Sequence, residues 1–162
     1  YIDSRYRTIA DKDYRALAGL SMGGMQTQRI VFTYPELFGW AGIFSGGLVI
    51  RDDEVDYTEV LLNPEAFRKQ FHMLFVACGK QEWSYESTVK NEKEVLAAGV
   101  PIEVFEGYGY HDWTFWRHCL NAFFKKIILN VFAGTRHRYG SEMKEKRLWK
   151  KKQKLQSIHP LR

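Results

Sequence analysis

A serine between glycines, Ser21, is the residue of this sequence best suited to act as a nucleophile. It stands in Gly19-Leu20-Ser21-Met22-Gly23, a G-x-S-x-G segment that follows an apolar run and precedes a periodic apolar stretch. A serine hydroxyl attacks well from a tight strand-to-helix turn, where glycines two residues before and after it relieve crowding. The helix N-terminus would also offer the Met22 N–H to an oxyanion. The alternative is a glycine-rich turn that happens to contain a serine.

A serine nucleophile needs a base, and chain position favours His111 among the five histidines. Ligands of a parallel sheet gather at the carboxyl ends of its strands. His72 begins a predicted strand, His118 lies inside the last predicted helix, and His137 and His159 lie in the C-terminal tail. His111 follows the carboxyl end of a strand, in a glycine-flanked loop. It is the predicted base, and the alternative is a surface histidine that caps the next helix.

The base needs a carboxylate to orient it, and Glu82 is the predicted acid. The apolar run over 73–78 reads as a strand, and Glu82 follows its carboxyl end. Asp112 adjoins His111 and would point elsewhere. Four other carboxylates follow the preceding strand and remain alternative candidates for the acid: Asp52, Asp53, Glu54 and Asp56. The order Ser21, Glu82, His111 is the chain order of α/β-hydrolase triads.

Apolar strand-length runs alternate with helical segments along the chain. The strands are predicted over 15–20, 40–44, 73–78 and 101–105, and the first is expected to be buried. Helices are predicted over 22–34, from Pro64, over 84–98 and over 113–132, with a loop over 51–60. In the first of these helices, Met22, Met25, Ile30, Val31 and Tyr34 fit one face only loosely. The fold class is therefore α/β, a mostly parallel sheet with helices on both faces.

Composition predicts one folded domain followed by a basic tail. The 162 residues are 45% hydrophobic and 15% aromatic, which argues against disorder. Residues 136–162 carry ten Lys or Arg and two Glu, a balance of +8, against −3 for residues 1–135. The predicted division is a domain over 1–134 and a solvated or partly helical tail over 135–162. A mildly acidic domain predicts no nucleic-acid partner, and no apolar stretch is long enough to span a membrane.

Neither metal nor cofactor is predicted from the residue pattern. His111 and His118 are seven residues apart, whereas a helical zinc pair needs four, and no phosphate-binding glycine loop occurs. Cys78 and Cys119 are expected to be buried small hydrophobes, with a disulfide between them left open.

Five segments together resemble the esterase D-like group, whose best-known members are the feruloyl and acetyl-xylan esterases of carbohydrate esterase family 1. They are YRT at 6–8, RALAGLSMGG at 15–24, FSG at 44–46, ACG at 77–79 and HDWTFWR at 111–117. The resemblance covers residues 1 to about 133. It implies an α/β-hydrolase fold and ester hydrolysis through an acyl-enzyme. It also implies Ser21 as nucleophile, His111 as base and Glu82 as acid, although an aspartate is more usual there.

The resemblance also implies that the chain is a C-terminal portion of an esterase domain. The family has earlier strands and a second oxyanion donor that precede the serine motif, so the chain alone is expected to be weakly active or inactive. An incomplete sheet edge would favour self-association or a partner chain. If the substrate is a polysaccharide ester, the protein is expected to be secreted or periplasmic.

The expected substrate is an acylated carbohydrate carrying feruloyl or acetyl groups. Trp83, Tyr108, Tyr110 and Trp113 could flank a planar acyl group, or they could be ordinary packing residues. Two alternatives remain: a related esterase or acyltransferase of siderophore, S-formylglutathione or mycolyl type, and a non-catalytic or carbohydrate-binding module of the same fold.

Overall fold

The computed structural model describes residues 1–131 of the chain. A single 3-10 turn, Lys12–Tyr14, precedes the first strand. The strands are β1 (Ala16–Leu20), β2 (Trp40–Phe44), β3 (Met73–Gly79) and β4 (Glu103–Gly107). The helices are α1 (Ile2–Arg5), α2 (Met22–Thr33), α3 (Thr58–Leu61), α4 (Pro64–Gln70), α5 (Tyr85–Ala97) and α6, which covers 113–131.

The four strands form one parallel sheet in the order β1-β2-β3-β4, which confirms the predicted fold class. Every residue of β2 and β3 is buried. The prediction that the first strand is buried is wrong, because β1 lies at an edge of the sheet and leaves Ala16 and Ala18 exposed. Within residues 1–131 no strand pairs with the outer side of β1, and association through that edge stays a prediction.

Helices cover both faces of the sheet, as predicted. On one face, Val31 of α2, Phe67 of α4 and Val95 of α5 join a single buried cluster with Ile43 and Val76 of the central strands. On the other face, α6 packs through Phe123, whose ring lies 5.7 Å from that of Phe44 and 5.6 Å from that of Phe75. The sheet is thus the middle layer of three, and its strand ends remain accessible at one edge.

The buried face of α2 differs from the one that its apolar residues suggested. Val31 is buried, but Met22, Met25, Ile30 and Tyr34 are exposed. The buried positions are Gly24, Thr27, Gln28 and Val31, which recur with helical spacing. Small and amide side chains suit this face because α2 lies close to the sheet. The Gln28 side-chain N–H donates to the Val49 carbonyl oxygen, and the Gln28 side-chain oxygen accepts from the Val49 N–H.

The predicted helix boundaries near Pro64 and Gly99 are confirmed. Asn63 caps α4 by accepting from the N–H groups of Glu65 and Ala66, and Gly99 ends α5 with a φ of +81°. Ser84 does precede α5, but its side chain makes no capping hydrogen bond. The loop predicted over 51–60 ends in the short helix α3.

Residues 1–124 form one compact unit, and a second unit begins at Lys125. Of that second unit the structure describes only the helical residues 125–131, so the tail predicted over 135–162 lies outside the described residues. No helix within residues 1–131 has the length and apolar character needed to cross a bilayer.

Candidate active site

The turn between β1 and α2 holds Ser21 in a strained backbone conformation, with φ 54° and ψ −126°. Gly19 is needed because a Cβ there would lie 2.1 Å from the Gly23 carbonyl oxygen. The expected crowding at Gly23 itself is wrong, since a Cβ added there would meet no atom within 4 Å. The second close approach is instead at Gly24, whose added Cβ would lie 3.1 Å from the Gly46 Cα.

Three of the predicted site residues form a continuous hydrogen-bonded relay. The Ser21 hydroxyl lies 2.7 Å from His111 Nε2, and His111 Nδ1 lies 2.8 Å from Glu82 Oε2. A carboxylate only accepts, so Nδ1 carries the proton that it donates to Glu82, and Nε2 is left to accept from Ser21. This is the tautomer in which the imidazole can act as the base for the serine hydroxyl.

The Glu82 carboxylate is fully buried, with no exposed side-chain surface. Its Oε1 accepts from the Gly79 N–H at 2.7 Å and from the Ser45 hydroxyl at 2.6 Å, while Oε2 faces His111. Three donors therefore hold a buried charge in one orientation. A Cβ at Gly79 would lie 2.3 Å from the Gly109 carbonyl oxygen and 2.9 Å from Glu82 Oε1, so the backbone of the base's loop and the carboxylate both require glycine at the end of β3.

Two members of this network, Ser45 and Trp116, were not assigned a role from the sequence. Ser45 follows β2 with φ 51°, and besides donating to Glu82 it accepts from the Trp116 indole N–H at 2.9 Å. The Trp116 ring also stands edge-on to His111, with centroids 5.0 Å apart. Ser45 carried a usable signal, a polar residue directly after the carboxyl end of a strand, but the contact of Trp116 depends on how α6 packs.

Each of the four parallel strands thus contributes one polar group at its carboxyl end. Ser21 follows β1, Ser45 follows β2, Glu82 follows β3 and His111 follows β4. Two backbone bonds join the last two loops, from the Lys80 N–H to the Gly107 carbonyl and from the Gln81 N–H to the Gly109 carbonyl. The loop that carries the acid is therefore fixed to the loop that carries the base.

The Met22 N–H is the predicted oxyanion donor. Met22 is the first residue of α2, and no acceptor within residues 1–131 receives its N–H. The N–H of a first helical residue also lies at the positive end of the helix dipole. A backbone N–H of this kind, next to a serine nucleophile, is the type of donor that oxyanion stabilisation uses.

Four of the five competing carboxylates, all except Asp53, have other contacts within residues 1–131. Asp112 caps α6 by accepting from the N–H groups of Thr114 and Phe115. In the loop after β2, Asp52 accepts from two backbone N–H groups, Glu54 pairs with Arg29 at 2.6 Å, and Asp56 accepts from Thr58. Among the described residues, Glu82 is the carboxylate that contacts His111.

The remaining buried titratable groups lie outside the relay. Cys78 and Cys119 are free and buried, as expected, and burial raises the pKa of Cys119 to about 12. Burial, with the nearby charge of Glu106, raises the pKa of Glu92 to about 7. Within residues 1–131 no three potential ligands of the His, Cys, Asp or Glu type are grouped to hold a metal ion.

Comparison with known proteins identifies esterases as relatives of this chain. The family model described as "Putative esterase" matches residues 1–127. Over 129 residues the chain is 40% identical to an endo-1,4-beta-xylanase/feruloyl esterase of Xylanibacter ruminicola, an alignment that covers 78% of this chain and 16% of that protein.

Solved structures share the fold. An S-formylglutathione hydrolase from Staphylococcus aureus superposes with a TM-score of 0.61 at 22% identity, covering 77% of this chain and 55% of that one. A ferulic acid esterase superposes with a TM-score of 0.58 at 26% identity, covering 74% and 53% respectively. The chain thus spans about half the length of these solved relatives. On the family match and the shared α/β-hydrolase fold, it belongs to the esterase family.

Proposed function

We propose that this protein hydrolyses carboxylic esters through an acyl-enzyme, and that its substrates are feruloyl or acetyl esters of plant cell-wall polysaccharide. The observation that carries the reaction type is the unbroken relay from Ser21 through His111 to Glu82, at 2.7 and 2.8 Å. The substrate class is supported by the 40% identical relative, a xylanase/feruloyl esterase.

In the first half-reaction, His111 Nε2 takes the proton of Ser21 as the hydroxyl oxygen attacks the ester carbonyl carbon. The imidazolium that forms faces the buried carboxylate of Glu82, which stabilises the new positive charge. The Met22 N–H donates to the negative oxygen of the tetrahedral intermediate. His111 then gives its proton to the leaving alcohol oxygen, which departs and leaves the acyl group on Ser21.

In the second half-reaction, a water molecule takes the place of the alcohol. His111 removes one of its protons as the water oxygen attacks the acyl carbon, and then returns that proton to Ser21 as the acid departs. The side chain of His111 is 30% exposed, so solvent can reach the base.

The test combines a serine-directed probe with ester turnover. In a protein that holds the complete esterase domain, a fluorophosphonate should label Ser21, and p-nitrophenyl acetate or methyl ferulate should be hydrolysed, since the chain alone is expected to be weakly active or inactive. Ser21→Ala should abolish labelling and lower turnover by at least about 10³-fold, because the nucleophile is removed. Thr33→Ala removes an exposed hydroxyl at the far end of α2 and should change neither. An unlabelled Ser21 in the folded protein would instead indicate the non-catalytic module.

A further inference from the structure

Four aromatic side chains close to His111 or Glu82 in the sequence are exposed in the described part of the chain. Trp83 is 86% exposed, Tyr108 88%, Tyr110 61% and Trp113 67%. For comparison, the tryptophan that does pack here, Trp116, is 9% exposed. A side chain that remains in water gains almost none of the hydrophobic free energy that burial supplies, so packing among residues 1–131 does not explain these rings.

Three of the four rings lie on the two loops that are bonded to each other, Trp83 on the loop of the acid and Tyr108 and Tyr110 on the loop of the base. Trp83 follows the acid directly, and its ring centroid lies 6.5 Å from that of His111. Trp113 begins α6, and its ring stands edge-on to Trp116 at 5.4 Å, which in turn contacts His111. Trp83 directly, and Trp113 through Trp116, therefore lie near the base.

The direction of proton transfer assigns this side of the site to the alcohol of the ester. His111 Nε2 must give its proton to the leaving oxygen, so that oxygen and the group attached to it lie on the His111 side. The carbonyl oxygen points to the Met22 N–H, and the acyl chain takes the remaining direction. A pocket of about 250 Å³ lies beside α2, and its lining combines Met22, Met25, Val55 and Tyr57 with charged residues that include Arg29 and Glu54.

We propose that Trp83, Tyr108, Tyr110 and Trp113 form a platform for the sugar of the leaving alcohol, and not for the acyl group. The inference rests on the proposed function and names the part of the substrate that these rings recognise. The faces of sugar rings carry C–H bonds that pack flat against aromatic rings, while their hydroxyl groups stay in water. An exposed row of rings fits such a group, whereas a small planar acyl group suits an enclosed pocket.

The test uses two esters with one acyl group and different alcohols: methyl ferulate and a feruloylated arabinoxylan oligosaccharide. Trp83→Ala should lower kcat/KM on the oligosaccharide ester about tenfold, as expected for loss of one aromatic contact, and change that on methyl ferulate by less than about twofold. Both esters give the same acyl-enzyme, so its hydrolysis should be unaffected. Trp83→Phe should restore most of the loss, and Tyr34→Ala, which removes an exposed ring at the end of α2, should have no effect.

Equal losses of kcat/KM on both esters would overturn the inference and place the rings against the acyl group. No loss of kcat/KM on either ester would also overturn the inference. A second measurement separates this inference from the proposed function. Calorimetric titration of the Ser21→Ala protein with the unesterified oligosaccharide should show binding that Trp83→Ala weakens about tenfold. If neither ester is hydrolysed, the proposed function fails, and this titration still decides the inference. Weaker oligosaccharide binding after Trp83→Ala supports the inference, whereas unchanged binding, or no binding by either protein, overturns it.

Discussion

Replacement of Ser45 should lower activity although Ser45 touches neither the nucleophile nor the base. Its hydroxyl is one of two donors to Glu82 Oε1 and the acceptor for the Trp116 indole N–H. A hydrogen bond to a charged group contributes about 1.5–3 kcal/mol. Ser45→Ala leaves Glu82 Oε1 with the Gly79 N–H alone, so the carboxylate supports the imidazolium of His111 less firmly. We expect kcat to fall about 10- to 100-fold, with KM nearly unchanged.

Stability should fall as well, for a different reason. The Trp116 N–H would be buried without an acceptor, which costs about 1–3 kcal/mol. Ser45→Gly removes the same hydroxyl but suits the φ of 51°, a conformation that costs other residues about 1–2 kcal/mol. The greater conformational freedom of glycine in the unfolded chain offsets about 0.5–1 kcal/mol of this gain in stability. Ser45→Gly should therefore match Ser45→Ala in kcat and exceed it in stability by about 1 kcal/mol.

The assay is steady-state kinetics on one ester, combined with thermal unfolding of the three proteins. Thr33→Ala is the matched control, because it removes a hydroxyl at the far end of α2, about 18 Å along the helix from Ser21. A kcat within twofold of the unsubstituted protein in both Ser45 variants would refute the role of this hydroxyl. If kcat falls in Ser45→Ala but not in Ser45→Gly, backbone distortion rather than the lost donor is the cause.

Three further outcomes follow from the buried groups. Glu82→Gln should lower kcat/KM by about 10³–10⁴-fold, because an amide cannot accept from all three donors. Glu106→Gln, at an exposed carboxylate on β4, is the control and should have little effect on kcat/KM. Equal losses of kcat/KM in both variants would contradict the assignment of Glu82 as the acid. Burial, with the charge of Glu106, raises the pKa of Glu92 from 4.5 to about 7. The folded state therefore holds this proton more tightly than the unfolded state, and stability falls as the pH rises from about 4.5 to 7. Glu92→Gln should raise the melting temperature at pH 8 by an amount equivalent to about 3 kcal/mol at most and much less at pH 5, and a difference independent of pH would count against this. Cys78 and Cys119, free and buried, should react with a thiol reagent only after unfolding, and rapid reaction in the native protein would show that the described packing is wrong.

The sequence was most informative where chemistry and strand ends coincide. Ser21, Glu82 and His111 could be placed because each follows an apolar strand and because carboxyl ends of parallel strands meet at one edge. Side-chain partners across the fold could not be read in this way. The acceptor of the Trp116 N–H depends on where α6 crosses the sheet, and the burial of α2 depends on glycine and glutamine rather than on its methionines.

Edge position was equally hard to infer from sequence. The run over 16–20 is as apolar as a central strand, yet β1 has a neighbour on one side only within residues 1–131. The need for glycine at Gly19 was predicted and that at Gly79 was not. Each depends on a contact with a particular backbone atom, the Gly23 carbonyl oxygen for Gly19 and the Gly109 carbonyl oxygen for Gly79.

The origin of the four polar groups from four successive parallel strands links the site to the folding of the sheet. Ser21 and His111 are 90 residues apart in the chain and meet only when every intervening strand has paired. Parallel pairing needs long crossover connections, so it forms from non-local contacts and is slow compared with helix formation. A reactive serine is therefore a late product of folding, and its appearance during refolding reports completion of the whole sheet rather than of any one helix.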